Sequence, residues 1–146
     1  MQARQIDAGL ISHDVTAAAE LTFQLAAADA KLLTEIGFIA AYRGDVVRTD
    51  AIFDALIALR PGRAYPWIGK ALARFHVGRA SEAVQFLEYA SSDDVDDAAE
   101  LQVWRGLALQ LAGYAGQART LLEPLAGGSG SAHSLARSLL GLPEGN

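Results

Sequence analysis

Apolar residues return at helical spacing through most of the chain, and short polar or glycine-bearing breaks divide them into paired segments. From Ala30 to Arg43, Leu33, Ile36, Gly37 and Ala40 fall on one face of a helix. Gly44 then stops the helix, because only glycine enters the left-handed conformation cheaply, and Asp45 caps the next one. That second helix, Val46 to Leu59, carries Ile52, Phe53, Leu56 and Leu59 as its stripe and halts at Arg60-Pro61-Gly62. Pro66 suits the first turn of a third helix reaching Val77, since a missing amide costs nothing there. After Gly78, Ser81-Glu82-Ala83 opens a partner helix that runs to about Ala90. Further on, the pattern predicts helices over Ala98–Ala112 and Gly116–Leu125, separated by Gly113. Gly127-Gly128-Ser129-Gly130-Ser131 breaks the chain again before a last short helix, Ala132–Leu140, with Leu135, Leu139 and Leu142 available to seal an open end. At the other terminus, Met1 to His13 reads as a loose lead, with Asp14 as a cap for a helix beginning at Val15. We expect a break near Asp29, because two antiparallel helices hide more apolar area than one long one.

These pairs repeat. Gly37, Gly44, Thr49, Phe53 and Pro61 are answered 34 residues later by Ala71, Gly78, Ala83, Leu87 and Val95. Gly106, Gly113, Ala118 and Leu122 follow 35 residues after that. A period near 34 in a helical chain is the signature of the tetratricopeptide repeat, or TPR. The expected fold is therefore all-α: a right-handed TPR superhelix of three helix-turn-helix repeats with flanking helices. The division that follows is a lead over residues 1–13 and one domain over 14–142. Within the domain we expect a half repeat (14–29), repeats at 30–63, 64–98 and 99–126, and a capping helix at 132–140.

Composition narrows the chemistry. At 146 residues and 51% hydrophobic, the chain can bury a true core. It has no cysteine, so disulfides and thiolate metal sites are excluded. A net charge of −5 supplies no basic footprint for nucleic acid. No apolar run approaches the ~20 residues of a membrane-spanning helix, and Asp7 interrupts the place of a secretory leader's apolar core. No nucleophile motif, zinc-binding helix or phosphate loop is present, so no catalytic residue, metal or cofactor is expected. The run Ser91-Ser92-Asp93-Asp94-Val95-Asp96-Asp97 lacks the glycine and closing glutamate of a calcium loop. It reads instead as acid placed at a helix N-terminus, where the dipole stabilises it.

A repeat scaffold offers its concave face, built from the first helix of each pair. Anchoring the three repeats on Gly44, Gly78 and Gly113 projects the wall. Lys31, Thr34, Phe38, Ala41 and Tyr42 come first, then Tyr65, Ile68, Leu72, Phe75 and His76, and then Glu100, Val103, Leu107, Gln110 and Leu111. The partner-binding candidates among them are Thr34, Phe38, Tyr42, Tyr65, Ile68, Leu72, Phe75, His76, Val103 and Leu107. This wall is apolar and aromatic, unlike the Lys-, Arg- and Asn-lined groove that clamps a C-terminal carboxylate. A surface of this kind is covered either by a partner chain or by the protein itself, through its N-terminal segment or a second subunit.

Three stretches carry a resemblance: Glu35-Ile36-Gly37-Phe38-Ile39-Ala40-Ala41-Tyr42-Arg43-Gly44-Asp45, Ile52-Phe53-Asp54-Ala55-Leu56, and Leu59-Arg60-Pro61-Gly62-Arg63-Ala64-Tyr65-Pro66. With Gly106-Leu107-Ala108-Leu109-Gln110-Leu111-Ala112-Gly113 they resemble the small TPR proteins of bacterial type III secretion clusters. The HrpB/HrpK group is nearest in character, and the translocator and needle-subunit chaperones are more distant. The resemblance covers about Lys31 to Leu125. It implies a non-enzymatic chaperone or accessory protein that holds an exported protein or a secretion-apparatus subunit in its groove, and a cytoplasmic location. Members thought to act in the periplasm imply the alternative, an envelope component working through a homodimer or by wall binding.

Overall fold

The computed structural model describes residues 8–144, with side chains described at Thr16, Ala17 and Glu20 and from Ala27 onward. Every element in this range is helical. In order they are α1 (Ala8–Tyr42), α2 (Val46–Leu59), α3 (Tyr65–His76), α4 (Ala80–Tyr89), α5 (Val95–Leu111) and α6 (Ala115–Leu122). A 3₁₀ turn (Glu123–Gly127) and α7 (Ser131–Leu139) complete the chain. The third repeat's second helix thus ends at Leu122, where Pro124 in the next turn cannot continue it.

Two expectations fail at the N-terminal end. The helix has already begun at Ala8, so Asp14 lies within α1 and is not its cap, and residues 8–13 of the expected lead are helical. The expected break at Asp29 is absent, and α1 continues through it to Tyr42. The sequence supplies the reason, because Ala26 to Ala30 contains no glycine or proline and is rich in alanine, the best helix former. Residues 1–7 lie outside the described range.

The chain divides into two compact units after Leu33. The first contains the helix up to that residue, with Thr16, Ala17, Glu20, Lys31 and Leu32 exposed. The second begins at Thr34, and every packing statement below concerns it.

Within the second unit, neighbouring helices pack in sequence from α2 to α6, while α3 also touches α5 and α5 touches α7. Close approach is set by one small residue facing one large one. A methyl group built on Gly37 would stand 2.8 Å from the Phe53 ring, and one on Gly106 would stand 2.5 Å from Leu122. Between them, Ala71 and Leu87 share one buried cluster at 0% and 2% exposure. These are equivalent positions in the three sequence repeats, so the period is expressed as a recurring contact. Thr49, Ala83 and Ala118, another equivalent set, are each fully buried.

The turns recur as closely as the contacts. Gly44, Gly78 and Gly113 have φ of +69°, +71° and +92°. After each, the next residue's amide reaches back to a carbonyl five positions earlier: Asp45 to Ala40 (3.0 Å), Arg79 to Arg74 (2.8 Å) and Tyr114 to Leu109 (2.8 Å). This pairing satisfies carbonyls that a helix end otherwise leaves open. Gly141 makes the same turn after α7, with φ +71° and Leu142 bonded to Arg137 at 2.9 Å. Asp45 caps α2 as expected, its carboxylate accepting from Arg48 N at 3.1 Å, and Asp94 caps α5 through Asp97 N at 2.9 Å.

Candidate functional site

The candidate wall is drawn from the end of α1 and from α3 and α5. At its start, Phe38 is half-buried and packs edge-on against the fully buried Phe53 with ring centres 5.1 Å apart. Thr34 is half-buried and Tyr42 is 64% exposed. On α3, Leu72 and Phe75 are half-buried, and Tyr65 lies under the Arg63 guanidinium at 6.0 Å. Leu107 on α5 is half-buried as well. His76 is exposed and meets Tyr42 edge-on at 6.0 Å, so the structure brings together two candidates from adjacent repeats.

Two candidates belong to the core instead. Ile68 is 6% exposed in a cluster with Ala71, Leu87 and Leu101, and Val103 is fully buried with Leu109, Ala118, Leu122 and Ala136. Both are corrections to the projected wall. The cause on α5 is the following helix: α7 docks against it, and Gln110 donates to the Leu139 carbonyl at 3.0 Å. A position that would line a groove in an open stack is thereby sealed.

Trp104, which the projection omitted, stacks on Phe75 with centres 6.2 Å apart and planes 7° from parallel. It lies next to Val103 and one turn before Ala108, so periodicity placed it near the core without showing that it crosses to α3. Phe75 therefore owes part of its burial to a neighbouring helix, leaving Tyr42 and His76 the most accessible aromatic pair on this face.

Charged groups tie the repeats together behind the wall. Arg74, 9% exposed, forks onto Asp50 of α2, its second amino group donating to Oδ2 at 2.6 Å, and also approaches Glu82 of α4. Hydrogen bonding to Asp50 raises the Arg74 pKa above its ordinary value, so it stays charged despite partial burial. Lys70 bonds Asp54 at 2.8 Å and faces the rings of Trp67 and Phe86 at 5.3 and 5.1 Å. One repeat later, Arg105 bonds Glu88 at 2.9 Å, which makes this ion pair a repeated link.

At the opposite helix ends, Asp97 accepts from Ala64 N and Arg63 Nε, both at 2.9 Å. The Ala64 amide, followed by the Arg63 side chain, holds the Asp97 carboxyl below the usual range. Nearby Glu100 moves the other way, raised chiefly by burial and then by the Asp97 charge. It lines a polar cleft of about 170 Å³ with Asp96, Ser131 and His133. His133 Nδ1 meets the Leu125 carbonyl, which makes that nitrogen the donor.

Among the described residues, no three His, Asp or Glu side chains converge as a metal site, and no helix is long and apolar enough to cross a membrane. The capacity of the candidate face is apolar and aromatic contact. Comparison with known proteins returned no matching family model, no matching curated protein and no matching solved structure.

Proposed function

We propose that this chain is a non-catalytic protein-binding repeat protein, with its helices wound as a right-handed TPR superhelix. It holds a segment of a partner polypeptide against the first helix of each pair. The reading is carried by the Tyr42–His76 pair, in which adjacent repeats join ring to ring at 6.0 Å while Tyr42 stays 64% exposed. The half-buried Phe38, Leu72 and Leu107 supply further apolar surface, and aromatic anchors of this kind dominate binding energy at protein interfaces. The recurring small-to-large contacts and turn glycines support the TPR arrangement. Following the resemblance of its motifs, we take the partner to be an exported or apparatus subunit of a type III secretion system, bound in the cytoplasm.

The test is co-expression of the full chain with secreted and apparatus subunits of a type III secretion system, followed by co-purification. Tyr42→Glu should abolish capture while leaving the melting midpoint within about 1 °C, since an exposed charge costs little. Ile68→Glu should unfold the protein, because it buries an unpaired carboxylate. Unchanged capture by Tyr42→Glu, or no capture by the wild type, would overturn the reading.

A further inference from the structure

An open cleft of about 310 Å³ lies between α5 and α6, lined by Arg105, Leu109, Gln117, Thr120 and Leu121. Each of the five stands 35 residues after one of Lys70, Arg74, Glu82, Gln85 and Phe86 in the preceding repeat. There the chain fills the corresponding place with its own side chains. The Phe86 ring lies 5.1 Å from Lys70 Nζ and 5.3 Å from the Arg74 guanidinium, and Arg74 is held by Asp50 and Glu82. One repeat later the ring has become Leu121 and the long basic side chain Leu109, while Val84 and Gln117 stand for the two acids. Trp67, the second ring facing Lys70, is answered by Gln102. What remains is a cation without its rings.

Arg105 donates through one amino group to Glu88 at 2.9 Å, and its Nε is buried with no acceptor among the described residues. A buried N–H left unpaired is costly, and a guanidinium is drawn to an aromatic face. We infer that the cleft takes the aromatic side chain of an internal residue of a partner polypeptide. The ring lies beside Arg105 as Phe86 lies beside Lys70, and the residue's backbone carbonyl accepts from the guanidinium. A cationic occupant is disfavoured, because neither acid that holds Arg74 has a counterpart here. A free carboxylate is disfavoured as well, since it would meet the Glu88 charge already paired with Arg105. At about 310 Å³ the cleft is at the lower end of ligand sites, roughly 300–1,000 Å³, which suits one residue rather than a cofactor. This inference uses residues apart from the Tyr42–His76 pair and stands whether or not that pair binds an exported subunit.

Nitrogen–proton correlation NMR on the full chain tests it, with N-acetyl-phenylalaninamide as the probe and arginine Nε–H and glutamine side-chain signals included. Saturable shifts are expected at Arg105 Nε, the Gln117 side chain and Thr120. N-acetyl-leucinamide and free phenylalanine should each bind at least about threefold more weakly, the first for want of a ring and the second for its carboxylate. Leu121→Phe supplies the ring that the preceding repeat carries, so it should abolish the shifts and leave the circular-dichroism spectrum unchanged. Arg105→Met keeps the apolar stem and should weaken binding about threefold. Shifts absent from Arg105, Gln117 and Thr120, equal binding of the three probes, or undiminished binding by either variant would overturn the inference.

Discussion

Gly69→Ala should destabilise the protein, although alanine is the better helix former. A methyl group at this position in α3 would stand 2.1, 2.5 and 2.7 Å from three ring carbons of Phe53. Carbon atoms pack favourably at about 3.5–4.0 Å, so the ring must move by more than an ångström. It has little room to do so, because Phe53 is fully buried, packs edge-on against Phe38 and is approached by Gly37. Overpacking of this kind costs about 1–3 kcal/mol, and the restricted ring puts Gly69→Ala near the upper end. The helix-propensity gain of Gly→Ala offsets about 1 kcal/mol. The net expectation is a loss of about 2 kcal/mol, or roughly 4–8 °C in melting midpoint for a chain of this size.

Urea and thermal unfolding followed by circular dichroism measure that change, and a double-mutant cycle assigns its cause. Phe53→Leu alone should destabilise by about 1–2 kcal/mol through lost packing. In that background Gly69→Ala should become nearly neutral, giving a favourable coupling of about 2 kcal/mol. Gly116→Ala in α6 is the control, since nothing lies within 4 Å of the added methyl, and it should stabilise by about 0.5–1 kcal/mol. An unchanged or raised midpoint for Gly69→Ala, or equal cost in both backgrounds, would refute the reasoning.

Gly78→Val should destabilise by about 1–2 kcal/mol although space is open around it, because φ of +71° is hostile to a β-branched residue. An unchanged thermal midpoint would exclude that conformation. Asp97 has a depressed folded pKa, so its contribution is fully present above the unfolded carboxylate range and is lost as pH falls through the folded value. Asp97→Asn should therefore lower the midpoint at pH 7 and flatten the decline of stability between about pH 5 and 2. Glu100 has the opposite sign, since its raised folded pKa means that ionisation opposes folding above that value. Glu100→Gln should raise the midpoint at pH 7 and leave it unchanged near pH 3, as a pH series of melts would show.

Local chemistry was largely legible in the chain. The glycines at 44, 78 and 113, the cap at Asp45 and the spacing of Gly37, Ala71 and Gly106 mark turns and close approaches without knowledge of the neighbours. They act through the backbone of their own helix, so a linear pattern carries them. Helix starts and stops after Thr34 were legible for the same reason, apart from the shortened α6 and from α5, which begins at Val95 and not at Ala98 because Asp94 caps it. In α1 the same logic misled, because a capping side chain at Asp14 and an expected hairpin at Asp29 outweighed a run with nothing to interrupt it.

Tertiary structure decided what each face meets. Ile68 and Val103 share the helical phase of the wall residues, yet neighbouring helices bury them, α7 closing over α5 beside Val103. Gly69 has no glycine counterpart in the other repeats, and only the arrival of the Phe53 ring from α2 explains it. Arg74 similarly falls at a buried position, where a charge is tolerated because α2 and α4 bring Asp50 and Glu82 to it. Periodicity records which side of a helix turns inward. It does not record which residues arrive from elsewhere in the chain, and those arrivals determine whether an apolar side chain binds a partner or fills the core.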